Sequence, residues 1–421
     1  MSKKAKQHGL KKWKVLGLMV LAALLLLAAC GQQGSQPASG GQDGGSEGGD
    51  KGGGEAKGEI LIGGIFDITG GTGDVGQPYA EGAKAYFEHV NAQGGINGHK
   101  VRLIDIDYAY QVPQAIEAYQ KLTQQDKVIG ILGWGTGDTE AMKELIAEDK
   151  IPYISGSYSE NLANVEQHPY NFLTAATYSD QAKIAIKWFV DNWKENRKPR
   201  MALIYNDTPF GRSPVEDAKA FAESVGVEVV DEQVVEVTAL DASSQLLNMR
   251  SKNPDFVIIQ QTWGATATIL KDAKRLGIKT QFIGLNWTAG EGLISLAGDA
   301  AEGFIGVIIH ALPSEGVDKV PGLAEIESYL KGKGKTLADI NQKFVQGWHS
   351  AKVMLEGARL ADELTGEGLR KGLEKLNQFD TEGLAAPVTF TADSHRGTTM
   401  ARLGQVKNGK WEIITDYISY Q

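Results

Sequence analysis

Beyond residue 57 the chain alternates short apolar runs with amphipathic segments, in two successive blocks. In the first, ILIGGIF (60–66) reads as a strand, the segment from Pro78 to Asn91 as a helix, and KVRLIDID (100–107) as a second strand. A helix from Pro113, the run VIGIL (128–132), a helix over 139–149 and IPYIS (151–155) complete it. The second block holds a helix around 180–193, MALIY (201–205), a helix near 214–224, VEVVDEQVV (227–235), FVIIQ (256–260) and a helix to Leu276. FIG (282–284) and GFIGVII (303–309) close it. Short apolar strands separated by helical spacing require parallel sheets covered on both faces. The 364 residues from 58 to 421 exceed one ordinary core and suit two. The expected fold class is α/β, with two doubly wound parallel-sheet lobes. A long helix over 341–364 and strand-like stretches at 386–391, 400–406 and 411–419 come too late for a third domain, and are expected to complete the lobes.

The N-terminus points to a compartment. Lys3, Lys4, Lys6, Lys11, Lys12 and Lys14 precede VLGLMVLAALLLLAA (15–29), which is short for a bilayer span and ends in small residues before Cys30. A basic flank, an apolar core and a small-residue end make residues 1–29 a signal peptide. Leu27-Ala28-Ala29-Cys30 resembles a lipobox, where bacterial lipoproteins are cleaved and the new N-terminal cysteine is lipidated. Cys30 is the single cysteine and has no partner for an internal disulfide, so lipidation is its expected role. In residues 31–57, eleven of 27 positions are glycine; such a stretch buries no core and reads as a flexible linker. Removing six lysines from a formal net charge of −9 leaves −15. That acidity argues against nucleic acid and anionic membrane surfaces as partners. The expected protein sits at the outer face of the cell membrane, held there through its lipid anchor only.

Ligands of open parallel sheets lie beyond the carboxyl ends of the strands. That rule singles out FDITGGTGDVG (66–76), GWGTGDTE (133–140), SGSYSE (155–160) and NDTPFG (206–211). Residues 133–142 fail as a phosphate loop, because no lysine comes before Lys143. They fail as a dinucleotide fingerprint too, since Gly137 follows Gly135 by two residues rather than three. His89, His99, His168, His310, His349 and His395 form no pair at metal-ligand spacing, and there is no G-x-S-x-G elbow. No cofactor, metal or catalytic group is expected. What these loops can do is expose helix N-terminal N–H groups and hydroxyls, a seat for a carboxylate. Thr136 is the candidate for that role, whereas Asp138 reads as a helix cap.

The stretch ILIGGIFDITGGTGDVGQPYAEGAKAYFEHVNAQGGINGHKVRLIDID, with IPYIS, YNDTPFGRS and KTQFIGLNWTAGEGLISLAGDAAEG (279–303), resembles the leucine/isoleucine/valine-type substrate-binding proteins of ABC transporters. The likeness runs from about residue 58 to at least 310, and more weakly to the end. No single motif is specific, but their order is. The resemblance implies the type I periplasmic-binding-protein fold, two lobes joined by three crossovers, with residues 58–176 and 312–388 in lobe I and 177–311 and 389–421 in lobe II. It implies a monomer that closes on its ligand by hinge bending and delivers it to ABC permease subunits.

Position by position, the resemblance places Thr136 where the family binds the ligand's carboxylate, and Tyr158 and Ser159 in a loop serving the same group. Phe210 falls at an aromatic position of the second lobe, and Thr262 and Trp263 at the wall against the side chain. Val75 replaces an aromatic found in some members. Trp134 and Trp287 add aromatic surface near the cleft. The departure is Asn286, which stands where amino-acid-binding members carry the acid that pairs with the ligand's ammonium. An unpaired buried ammonium is costly; Asp138, Asp207 or Glu291 would have to substitute from a shifted position. The expected ligand is thus a carboxylate with an apolar or aromatic body, a branched-chain or hydrophobic amino acid or an acid lacking the α-amino group. An exported α/β hydrolase and a ligand-sensing receptor domain are the competing classes: the first requires turnover, the second a signalling module.

Overall fold

The computed structural model describes residues 57–421. The signal, lipobox and linker expectations, Cys30 included, lie outside the described residues. The first stretch runs β1 (Lys57–Phe66), α1 (Gly73–Ala92), β2 (His99–Asp107), α2 (Val112–Gln120), β3 (Gly130–Leu132), α3 (Thr136–Asp149), β4 (Tyr153–Ile154) and β5 (Asn171–Phe172). These five strands form one sheet in the order β2-β1-β3-β4-β5, every pair parallel.

The chain continues through α4 (Tyr178–Asn192), β6 (Arg200–Tyr205), α5 (Pro209–Arg212), α6 (Val215–Ser224), β7 (Glu228–Val234) and α7 (Ser243–Ser251). Then come β8 (Phe256–Gln260), α8 (Trp263–Arg275), β9 (Gln281–Gly284), α9 (Glu291–Ala297) and β10 (Ile305–Ile308). Three helices follow, α10 (Leu323–Gly332), α11 (Gln342–Leu360) and α12 (Gly366–Leu373), before the hairpin β11 (Arg402–Lys407) and β12 (Lys410–Ile413). The second sheet has the order β12-β11-β10-β9-β8-β6-β7. It is parallel except where β11 pairs antiparallel with β10 and β12. This is the two-lobed type I periplasmic-binding-protein fold, lobe I on the first sheet and lobe II on the second.

The central strands explain the sequence pattern. All five residues of β8 are buried, as expected of a strand covered on both faces. Pairing departs from expectation at residues 386–391, which make only isolated bridges such as Phe379 with Val388. Helix α1 begins five residues ahead of Pro78, so that proline lies inside the helix. Helix α3 begins at Thr136 with Gly135 as its N-cap, three residues before the expected start, because Asp138 closes the turn from within.

Helix α11 is buried along nearly its whole length and packs against α1, β3 and α12. Its crossing with α1 depends on two glycines. A Cβ on Gly82 would sit 1.9 Å from the Phe344 carbonyl oxygen, and one on Gly347 would sit 1.9 Å from that of Tyr79. The backbones therefore meet directly.

Candidate functional site

The loop after β3 supplies one end of the site. Its alternating glycines have steric reasons: a Cβ on Gly133 would enter the Tyr153 ring at 1.9 Å, and one on Gly135 would lie 2.2 Å from Asp138 Oδ1. Asp138 accepts hydrogen bonds from the Gly135 N–H (3.1 Å) and the Tyr108 hydroxyl (2.9 Å). Burial nevertheless holds its carboxyl above the usual range, at about 6. The cap leaves the first-turn N–H groups beyond Gly135 facing forward. The Thr136 hydroxyl stands among them, 2.6 Å from Ser157 Oγ.

Two indoles face this turn. The Trp134 Nε1–H donates to Thr72 Oγ1 (2.8 Å), and the Thr72 hydroxyl donates to Asp67 (2.7 Å). Asp67 is itself held by the Gly70 and Thr72 N–H groups. Opposite, the Trp287 Nε1–H donates to the Tyr178 hydroxyl at 2.9 Å. The indole centroids lie 4.8 Å apart, and Tyr178 packs edge-on against Phe210 at 5.5 Å.

These groups line a partly open pocket whose empty space, solvent at its mouth included, is about 260 Å³; its lining residues are Thr72, Val75, Tyr110, Trp134, Gly135, Thr136, Gly156, Tyr178, Phe210, Thr262 and Trp287. Residues of both lobes contribute. One end offers hydroxyls and a helix N-terminus, and the walls are aromatic. No carboxylate side chain is among the lining residues. Such a site suits a small anion with an apolar body.

Of the residues nominated from sequence, Trp134, Thr136, Phe210, Thr262 and Trp287 line this cavity, and Val75 does too. Tyr158, Ser159, Trp263 and Asn286 lie behind the lining. The Tyr158 hydroxyl accepts from Gln346 Nε2 at 2.9 Å. Ser159 Oγ meets Ser213 Oγ at 2.9 Å. The Trp263 Nε1–H donates to the Ala289 carbonyl at 2.8 Å. Asn286 is fully buried; its N–H donates to Gln181 Oε1 (2.9 Å). Neither side-chain amide atom of Asn286 has a partner among the described residues.

The three acids nominated to replace the missing one are engaged elsewhere. Asp138 caps its own turn, Asp207 pairs with Arg212 on the surface, and Glu291 accepts from the Gln342 N–H at 2.9 Å. Thr72, Tyr110, Tyr178 and Gly156 were not singled out as ligand contacts. Tyr110 sits just past the end of β2, so the strand-end rule could have found it. Tyr178 opens a helix in a crossover, where no sequence signal marks it. The fold also brings His310 Nε2 to 3.2 Å from His349 Nδ1, a pair the spacing concealed. Burial holds His310 well below its ordinary value and His349 at about 3. No group of three metal-ligating side chains occurs among the described residues.

Two α/β lobes around a partly open pocket lined by hydroxyls and aromatics have the architecture of a solute-binding protein. The chain belongs to the periplasmic binding protein family, whose model matches residues 59–410. It is 24% identical over 373 residues to a Leu/Ile/Val-binding protein homolog of Brucella suis, spanning 85% of this chain and 91% of that one. It superposes on a branched-chain amino acid ABC transporter protein from Thermus thermophilus with bound valine at a TM-score of 0.80 and 27% identity, over 86% of this chain and 96% of that one. A fatty acid ABC transporter substrate-binding protein from Thermomonospora curvata shares the fold at a TM-score of 0.76 and 22% identity, covering 85% and 92%. The relatives are binding proteins, and the chain is not an enzyme. Among the described residues, no helix is long and apolar enough to cross a membrane.

Proposed function

We propose that this protein is the extracytoplasmic solute receptor of an ABC importer, binding a small carboxylate with an apolar or aromatic body between its lobes. The observation that carries this reading is the cavity itself, with the Thr136 hydroxyl and the α3 N-terminus at one end and five aromatic side chains around the rest. The relatives named for branched-chain amino acids support the importer role. Cys30 carries the lipid in this reading and residues 31–57 form the tether. Residues 58–176 with 312–388 move as one lobe, and 177–311 with 389–421 as the other.

The carboxylate requirement is tested by thermal shift with acids and their primary amides of equal size. The acids are expected to raise the melting temperature where the amides do not. Equal stabilisation by the amides would sink the proposal.

A further inference from the structure

Lys343 is fully buried, yet among the described residues it has no carboxylate within ion-pair distance. Its ammonium donates to the Asn286 carbonyl oxygen and to Gln342 Oε1, both at 2.7 Å. It also lies 5.0 Å from the Trp287 ring centroid and 5.6 Å from that of Trp263. Trp287 is a wall of the cavity, so a single indole separates this cation from the ligand space. The neighbouring residue Asn286 carries a buried amide with no partner among the described residues.

Two neutral acceptors and two aromatic faces compensate a buried ammonium only in part. Burial pushes Lys343 down to about 7, with Glu291 and Asp74 offsetting some of that effect. Neither carboxylate comes within ion-pair distance of the Lys343 ammonium, whose direct partners are both neutral.

We infer that Lys343 is a specificity-determining residue, which acts through Trp287 and the Asn286 peptide to make the cleft accept net anions and reject ammonium-bearing amino acids. This rests on the carboxylate reading above and narrows it. A ligand carboxylate places a negative charge across Trp287 from this cation. An α-ammonium in the same cavity would meet a like charge in low dielectric, with no acid in the lining to offset it.

The test uses the purified full-length chain and two matched ligand pairs, 4-methylpentanoate with leucine and 3-phenylpropanoate with phenylalanine. Each pair differs only in the ammonium. Calorimetry is expected to show the acid of at least one pair binding tighter by about tenfold or more, the size of a buried charge–charge interaction. Lys343→Met should bring that ratio toward one. Asn286→Asp, which leaves Lys343 in place and gives it a carboxylate neighbour, should shift the ratio the same way, and it decides the matter if the methionine variant does not fold. A wild-type protein that binds the amino acids as tightly as the acids overturns the role of Lys343 and leaves the carboxylate site standing. So does an acid preference that neither substitution alters. If none of the four compounds binds, both readings fall together.

Discussion

Replacing Thr136 by valine removes one hydroxyl and keeps the shape of the side chain. Its Ser157 partner still accepts from the Ser159 N–H at 3.2 Å, so the turn should hold. Because a hydrogen bond to a charged group is worth about 1.5–3 kcal/mol, carboxylate affinity measured by calorimetry should fall by about tenfold or more, with the melting temperature of the free protein little changed. Lys343 makes a different prediction. Its ammonium is held at about 7 by burial against an ordinary value of 10.5, so between those values the unfolded chain binds more protons than the folded one. Stability from this group is therefore lowest below pH 7 and grows as pH rises from 7 toward 10. The charges facing it are Glu291 and Asp74, with His310 close enough to feel it. Melting curves of wild type and Lys343→Met should converge across that window, the variant being relatively more stable at pH 6. Thr136 was legible because post-strand turns have a known use. Lys343 was not, because nothing in NQKFVQGWHS marks a lysine as buried; that follows from where α11 packs.

At the level of elements, α1 and α11 set the geometry on which the site depends. Gly82 and Gly347 let their backbones meet, and a methyl on either would collide with the facing main chain rather than with a side chain that could turn aside. Overpacking of this kind costs typically 1–3 kcal/mol and more where backbone must shift. Gly347→Ala should accordingly lower the denaturation midpoint by at least that equivalent, while Gly332→Ala, whose Cβ would meet nothing within 4 Å, should not. The strands were readable from their apolar runs, as FVIIQ coincides with β8. Helix α7 was not, since SSQLLNMRS buries only Leu246 and Met249 and carries too little periodic signal. The stretch 386–391 has strand-like alternation, but Val388 and Phe390 are buried without a ladder to join.

On the scale of the whole molecule, polar contacts join the lobes at many points, among them the paired hydrogen bonds of Arg402 to Glu315 and that of the Gln342 N–H to Glu291. Asp74 Oδ2 of α1 accepts from the Gly264 N–H of α8 at 2.8 Å, Ser159 meets Ser213, and Lys343 reaches the Asn286 carbonyl. Closure is then a balance between these contacts and hinge opening, which ligand binding tips. Removing the Asp74 carboxylate takes away a cap of α8 supplied from the other lobe, worth roughly 1 kcal/mol. Asp74→Ala should weaken every ligand by about fivefold without changing the order of preference among them. The two-lobe plan was legible from the repeated alternation of strands and helices. The antiparallel hairpin β11–β12 on the second sheet was less so, because its strands follow a long helical excursion and pair with β10 from far along the chain. The most direct measurement is native mass spectrometry of freshly purified protein, followed by identification of any small molecule released on unfolding. A single carboxylic acid, retained by wild type and lost from Thr136→Val, is the expected result. A retained ligand without a carboxylate, or one held equally well by the valine variant, would contradict it.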